Sequence, residues 1–364
     1  MRSFKMNILF LTTHFEEGGI SRYCLNLGIQ LKKEGHRVYV ASSGGALVEV
    51  LEKSGIEHIK INLRTKSELS PKIWCALFRL KKPLREKNIQ LIHAQTRVTQ
   101  VLACWISKFY KIPYVSTCHG FFRPRFFRRI FPCWGKKVIA ISRPVADHLL
   151  KDFKIPAELV QYIRHGLDIE RFRPYDEKAG QDFREQIKIV PDAPLIGIIA
   201  RLSSVKGHKF LIEAMAKVIG EFPSARLLIV GDGSLKDKLR QLCNKQGISR
   251  NVIFLPGVTD TAAVLSAMDI FVMPSLQEGL GLSIMEAMAA GVPIIASQVG
   301  GIPDLIKDNQ TGILVPAQDS ICLARAIITL LKDQNLQRVL SRNARQFIGE
   351  EFSVTKMVEE TEAL

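Results

Sequence analysis

Short apolar, β-branched runs alternate along the chain with longer stretches whose apolar residues recur at helical spacing. In the first half, the runs at 7–11, 37–41, 58–62, 91–93, 114–117 and 138–141 predict strands, and the stretches at 20–34, 71–87 and 99–110 predict helices. Gly35 stops the first of these helices. Such alternation predicts a parallel sheet covered by helices, because parallel neighbours need a crossover connection. A charged, proline-punctuated stretch at 168–194 interrupts the pattern. It then restarts with strands at 195–200, 227–230, 252–255, 270–273, 294–296 and 313–315.

The chain has 364 residues, 47% of them hydrophobic, which exceeds what a single core usually organises. The expected architecture is α/β, with two Rossmann-like doubly wound domains facing across a cleft. They span residues 1–170 and 194–364, joined by a linker at 171–193, and the last helix is a candidate to return toward the first domain. Ligands are expected at the carboxyl ends of the strands and in the cleft.

Candidate chemistry concentrates in the second half. Glu278 and Glu286 bracket the turn Gly279-Leu280-Gly281, after which Leu282 opens a helix. The start of a helix offers unpaired N–H groups and partial positive charge, which suit a diphosphate. Eight helical residues span about 12 Å, so one carboxylate is placed to hold sugar hydroxyls and the other ribose hydroxyls. Upstream, the strand ending at Ala200 leads into a loop carrying Arg201 and Lys206-Gly207. A guanidinium fork and an ammonium can together neutralise a departing nucleoside diphosphate. Gly231-Asp232-Gly233 follows another strand and lets a base or ribose approach the backbone, but it is not the G-x-G-x-x-G of dinucleotide enzymes.

The first half adds Gly18-Gly19 at a strand-to-helix turn, and His119-Gly120 at the end of the strand 114–117. His93 ends another strand among apolar neighbours and reads as a satisfied cleft or core histidine. The ensemble of Gly18-Gly19, His119-Gly120, Arg201 with Lys206-Gly207, Gly231-Asp232-Gly233, Glu278 with Glu286, and Gly300-Gly301-Ile302-Pro303 resembles the retaining family-four glycosyltransferases of the GT-B fold over essentially the whole chain.

The resemblance implies roles for these residues. Arg201 and Lys206 would bind the diphosphate, the amides of Leu282 and Ser283 would cap its distal phosphate, and Glu286 would hold the ribose. Glu278 would contact the donor sugar, with His119 near its reacting face. Gly19 would approach the donor or acceptor, and Val258-Thr259 would meet the nucleobase. His165 stands where family members often carry asparagine. The donor implied is a nucleotide-sugar, in the first place a UDP-sugar, with GDP- or ADP-sugar as alternatives, and it is a substrate, not a cofactor.

No Asp-x-Asp occurs anywhere in the chain, so the carboxylate pair that presents a divalent metal in the other major glycosyltransferase fold is missing. No metal site is expected. Charge grows on the leaving diphosphate in an oxocarbenium-like transition state, and fixed cations lower that barrier. Same-face attack is favoured over a covalent Glu278 intermediate, with the leaving phosphate accepting the proton of the acceptor.

Charge changes the picture of the first half. Residues 1–174 carry 31 Lys+Arg against 13 Asp+Glu, whereas residues 175–364 carry 20 against 22. The whole basic excess therefore faces the partner of the first domain. Residues 121–137 interleave six basic with six aromatic side chains, among them Phe121, Phe122, Arg123, Arg125, Arg128, Arg129 and Trp134. Such a mixture suits the headgroup boundary of an anionic membrane, as does the basic stretch 72–87 with Trp74 and Phe78. Internal packing of these aromatics is the competing reading, and nucleic acid ranks below both.

Cysteines without a C-x-x-C pair, no signal-peptide pattern in residues 1–14 and no apolar run of about 18 residues point to an intracellular protein lying on the membrane rather than crossing it. The expected acceptor is a glycan or lipid-linked molecule at the inner face of the cell membrane, in cell-surface polysaccharide, glycolipid or lipopolysaccharide assembly. The alternatives are a soluble transferase acting on a small sugar or glycan primer, a GT-B epimerase, or a non-catalytic nucleotide-sugar or nucleic-acid binding protein.

Overall fold

The computed structural model describes residues 5–65, 67–122, 128, 131–172, 177–258 and 260–364. The chain divides into two compact units, Met1–Gly166 with Val354–Leu364, and Leu167–Ser353.

The first unit is built on a seven-stranded parallel sheet: β1 (Asn7–Leu11), β2 (Arg37–Ser42), β3 (Glu57–Lys60), β4 (Leu91–Ala94), β5 (Tyr114–Cys118), β6 (Val138–Ala140) and β7 (Val160–Tyr162). Its spatial order is β3-β2-β1-β4-β5-β6-β7, so the winding reverses between β1 and β4. Helices cover both faces, which explains why the strands read as apolar runs instead of alternating patterns. Ile8 and Phe10 of β1 pack toward α1 (Gly19–Lys33), α2 (Val48–Lys53) and the closing helix Val354–Glu362, while Leu9 and Leu11 pack toward α3 (Pro71–Glu86) and α4 (Arg97–Tyr110).

Local chemistry sets the helix starts. Ser70 accepts from the Lys72 N–H beside Pro71, and Thr96 and Thr99 form a reciprocal capping box. Buried His36 fastens the closing helix: its Nδ1 accepts from the Met6 N–H, so its Nε2 carries the hydrogen that bonds Glu362 at 2.7 Å. The apolar pattern does not signal β7, since this short edge strand exposes Gln161 and has no apolar run.

The second unit holds β8 (Leu195–Ile199), β9 (Arg226–Val230), β10 (Val252–Leu255), β11 (Ile270–Met273), β12 (Ile294–Ser297) and β13 (Ile313–Val315), in the order β10-β9-β8-β11-β12-β13. All neighbours are parallel, and the winding reverses between β8 and β11. Much of the stretch read from sequence as a linker, 171–193, belongs to this unit. Residues 177–186 are helical, and Arg184 donates to the carbonyls of Ala267 and Ala193 and to Asp269 at 2.7 Å. The division falls earlier, between Gly166 and Leu167. A charged segment reads as solvated until tertiary structure supplies carbonyls and a carboxylate to bind its arginine.

Candidate functional site

In an open doubly wound sheet, ligands bind outside the carboxyl ends of the strands where the winding reverses. In the second unit, the loops there follow β8 and β11, and they carry Arg201, Lys206 and Glu278. Lys206 and Glu278 form an ion pair between the two loops, both side chains being largely buried. Ser275 adds a hydroxyl to the same Glu278 oxygen at 3.4 Å, and the Leu276 N–H donates to the Val205 carbonyl at 2.8 Å. Gly207 makes this seam possible, because a Cβ there would lie 1.8 Å from the Pro274 oxygen. Arg201 is exposed beside the pair.

The turn after Glu278 is held from behind. The Gly301 N–H donates to the Glu278 carbonyl at 3.0 Å, and a Cβ on Gly300, whose φ is +54°, would sit 1.9 Å from that oxygen. Only glycine fits so flat a contact in that conformation. Gly281 then caps the helix Leu282–Ala290. Ile284 and Met285 donate to the Gly281 carbonyl, so the amides of Leu282 and Ser283 precede the first intrahelical bond and remain for an anion. Glu286 lies one turn on, buried, with Thr261 Oγ1 donating to its Oε2 at 3.1 Å.

The wall toward β9 and β10 is joined by a backbone bond and a side-chain bond, both through Asp232. The Leu202 N–H bonds the Asp232 carbonyl at 2.9 Å, and Asp232 Oδ2 accepts from the Gly257 N–H at 2.8 Å. Gly231 lies in the same seam, and half-buried Val258 follows it. Thr259 lies outside the described residues. Thus Arg201, Lys206, Gly231, Val258, Glu278, Gly279, Gly281, Leu282, Ser283 and Glu286 all belong to this one unit, around the carboxyl ends of β8 to β11.

In the first unit, the reversal between β1 and β4 is flanked by the loop bearing Gly18 and Gly19, both exposed with open space around them, and by Gln95 after β4. His119, after β5, bonds Gln95 Oε1 through Nε2 at 2.8 Å. The oxygen can only accept, so Nε2 carries the hydrogen and Nδ1 is the acceptor of the neutral ring. Burial, reinforced by His165 and His93, pushes His119 well below the ordinary histidine range. Tyr23 is central, with its ring 4.9 Å from that of His119 and 5.2 Å from that of His165. His93 is, as its apolar neighbours suggest, a satisfied buried residue: its Nε2 meets Thr117 Oγ1 at 2.7 Å, and burial lowers its pKa to about 3. Neither ring nitrogen of buried His165 has a hydrogen-bond partner among the described residues.

Sequence reading missed Tyr23, Gln95, Thr261 and Ser275. A position just after β4 and beside the reversal was the available signal for Gln95; the others are recognisable only by their contacts.

The aromatic-basic segment corrects an expectation. Trp134 is only 7% exposed and stacks edge-on against Phe153 at 5.3 Å, so it faces the core and not a membrane. Phe121 and Phe122 pack against the same core cluster, and Arg128 pairs with Glu68 at 2.8 Å while lying over the Phe122 ring. The two phenylalanines are thus partly buried, and the Arg128 charge is paired. Arg123, Arg125 and Arg129 lie outside the described residues. Among the described residues the exposed aromatics are elsewhere: Trp74 and Phe78 on α3 and Phe109 on α4, with Leu69 just before α3. Trp74 and Trp105 lie 4.8 Å apart, joining the two helices into one face. Among the described residues, no helix is long and apolar enough to cross a membrane.

Two all-parallel, doubly wound units, the second with a glycine-capped helix and an ion-paired glutamate at its reversal point, define the GT-B class of glycosyltransferase. HepE (Alr3699) from Anabaena, solved with UDP and glucose, superposes with a TM-score of 0.87 at 24% identity, covering 98% of each chain. Residues 17–171 match the family model for glycosyltransferase family 4, and residues 180–347 that for glycosyl transferases group 1. The chain belongs to the family-four, group 1 glycosyltransferases. It is 28% identical to an uncharacterized glycosyltransferase, MJ1607, of Methanocaldococcus jannaschii, over 94% of this chain and 93% of that protein. It is 25% identical to the N-acetyl-alpha-D-glucosaminyl L-malate synthase of Bacillus anthracis, over 97% and 95%.

Proposed function

We propose that this glycosyltransferase moves a sugar, with retention of configuration and without a metal ion, from a nucleotide-diphosphate sugar to a glycan or lipid-linked acceptor at the cytoplasmic face of the membrane. The observation that carries the reading is the Lys206–Glu278 pair beside exposed Arg201 and the open helix start at Leu282 and Ser283. An ammonium has three hydrogens, and Glu278 engages one direction only, so Lys206 can hold the diphosphate and Glu278 a sugar hydroxyl together. Arg201 supplies charge that no carboxylate of the pair cancels. Glu286 and Thr261 suit ribose hydroxyls. UDP is the expected nucleotide; HepE was solved with UDP.

His119 is proposed to act on the donor sugar. A neutral ring with Nδ1 as acceptor can orient a hydroxyl without adding positive charge beside an oxocarbenium-like centre. Charge on the leaving diphosphate is met by Arg201, Lys206 and the helix start. The acceptor is then deprotonated by that phosphate as it attacks from the same face.

Peripheral attachment is supported by the α3–α4 face, where Trp74, Phe78 and Phe109 stand exposed among Lys81, Lys82, Arg85, Lys108 and Lys111. A screen of UDP-, GDP- and ADP-sugars, with and without chelator, tests the reading. Release of one nucleoside diphosphate in chelator, with the product anomer matching the donor by NMR, is expected. Inverted product or release that stops in chelator counts against it. His119→Ala should lower kcat by about 100-fold with a much smaller change in donor KM, and unaltered kcat removes His119 from the catalytic residues.

A further inference from the structure

A cavity of about 560 Å³ opens in the first unit where β2 and β3 end, lined by Glu16, Ser43, Gly44, Lys60, Arg64 and Arg79. It lies at the carboxyl edge of the sheet, the edge at which such folds seat ligands. Its walls are fixed by hydrogen bonds. The Gly44 N–H donates to Ser42 Oγ at 3.0 Å, and Ser43 Oγ accepts from the Leu63 N–H at 2.7 Å, which leaves the Ser43 hydroxyl hydrogen to donate into the cavity. Behind them, Gly45 presses on the backbone of Phe15, to which a Cβ would come within 2.4 Å.

Charge decides what the cavity takes. Glu16 is its carboxylate, and both oxygens are engaged: the Ala46 N–H donates to one at 3.0 Å and Arg64 to the other at 2.6 Å. The side chains of Lys60 and Arg79, both exposed, make no hydrogen bond or ion pair among the described residues. The basin therefore presents two uncompensated cations and a hydroxyl donor, an arrangement for an oxyanion with two charges. Its volume exceeds that of a phosphate and leaves room for part of the molecule that carries it.

We infer that this basin binds a phosphate or diphosphate carried by the glycosyl acceptor. The inference rests on the transferase reading above, which requires a second substrate. It gives part of the basic excess of the first half a purpose other than membrane attachment.

Titration calorimetry of the whole protein with inorganic pyrophosphate tests it, using wild type, the double variant Lys60→Gln/Arg79→Gln, and Arg201→Gln to mark the donor half. Wild type should bind two equivalents, with Arg201→Gln weakening one and the double variant weakening the other by about tenfold or more. A double variant that titrates like wild type overturns the basin. Displacement of pyrophosphate then separates the sources: glucose 6-phosphate displacing it marks a soluble phosphorylated acceptor, and dodecyl phosphate in neutral micelles marks a lipid phosphate. If neither displaces it, the assignment to an acceptor is overturned. Wild type that releases no nucleoside diphosphate from any sugar nucleotide tells against the transferase reading, a result distinct from failure of the titration.

Discussion

Glu278 and Lys206 hold opposite charges in contact, so each sets the work of the other. On the proposed roles, replacing Glu278 with glutamine frees the full charge of Lys206 toward the diphosphate and removes the carboxylate proposed to hold a sugar hydroxyl. The expected outcome is nucleoside diphosphate binding that tightens several-fold, with transfer falling by about 100-fold or more. Calorimetry beside a transfer assay checks it, and weaker product binding would contradict the charge assignment. Gly300 lies against the backbone of the same residue, and a Cβ there would come within 1.9 Å of the Glu278 carbonyl oxygen. Gly300→Ala must push that turn away, at a stability loss of about 1–3 kcal/mol, and urea unfolding with donor titration should register both changes. Retained donor affinity would mean that the turn adapts.

At the scale of elements, helix faces and loop seams decide roles that residue type leaves open. Phe78 is 72% exposed on α3 and Phe109 is 60% exposed on α4, whereas Trp134 is tucked against the core. The proposed peripheral membrane contact is therefore assigned to α3 and α4. The double variant Phe78→Ser/Phe109→Ser touches no core cluster and should weaken sedimentation with anionic liposomes by about tenfold or more. The residual binding should fade at high salt as the lysines are screened. Wild type that sediments with neither anionic nor neutral liposomes removes the membrane from the picture. The same helix-and-loop logic explains why the segment 177–186 is part of a unit and not a tether: Arg184 satisfies carbonyls of the segments that lead into β8 and β11.

For the whole molecule, buried imidazoles set the acid limit of stability. Burial pushes His93 down to about 3 and His165 and His208 down to about 4, the last assisted by Lys206. The folded chain refuses protons that the unfolded chain takes below about pH 6.5, so stability is full above that pH and falls as pH drops toward 4. Each histidine contributes a slope of about 1.4 kcal/mol per pH unit within that window. Urea unfolding at pH 7.5, 6 and 5 should show the decline, and His165→Asn should make it shallower; an identical slope would mean that His165 is hydrated.

Most of the fold was legible because its signals are local. Apolar runs, helical periodicity and glycine turns placed every strand but β7 and the helices at 20–34, 71–87, 99–110 and after Gly281, and the order of the motifs carried the family resemblance. In the second unit the glycines and charges at strand ends were legible as candidates, since their place is fixed by position in the chain, whereas Thr261 and Ser275 were not, since only their contacts with Glu286 and Glu278 mark them. The sequence by itself thus determined the strands of both sheets apart from β7, the family and the uneven charge. Only the tertiary structure decided that Lys206 and Glu278, 72 residues apart, are partners, that Trp134 turns inward, and that Tyr23, His119 and His165 meet. Periodicity records which face of an element is buried, while pairing and burial between distant residues depend on which elements the winding of the sheet makes neighbours.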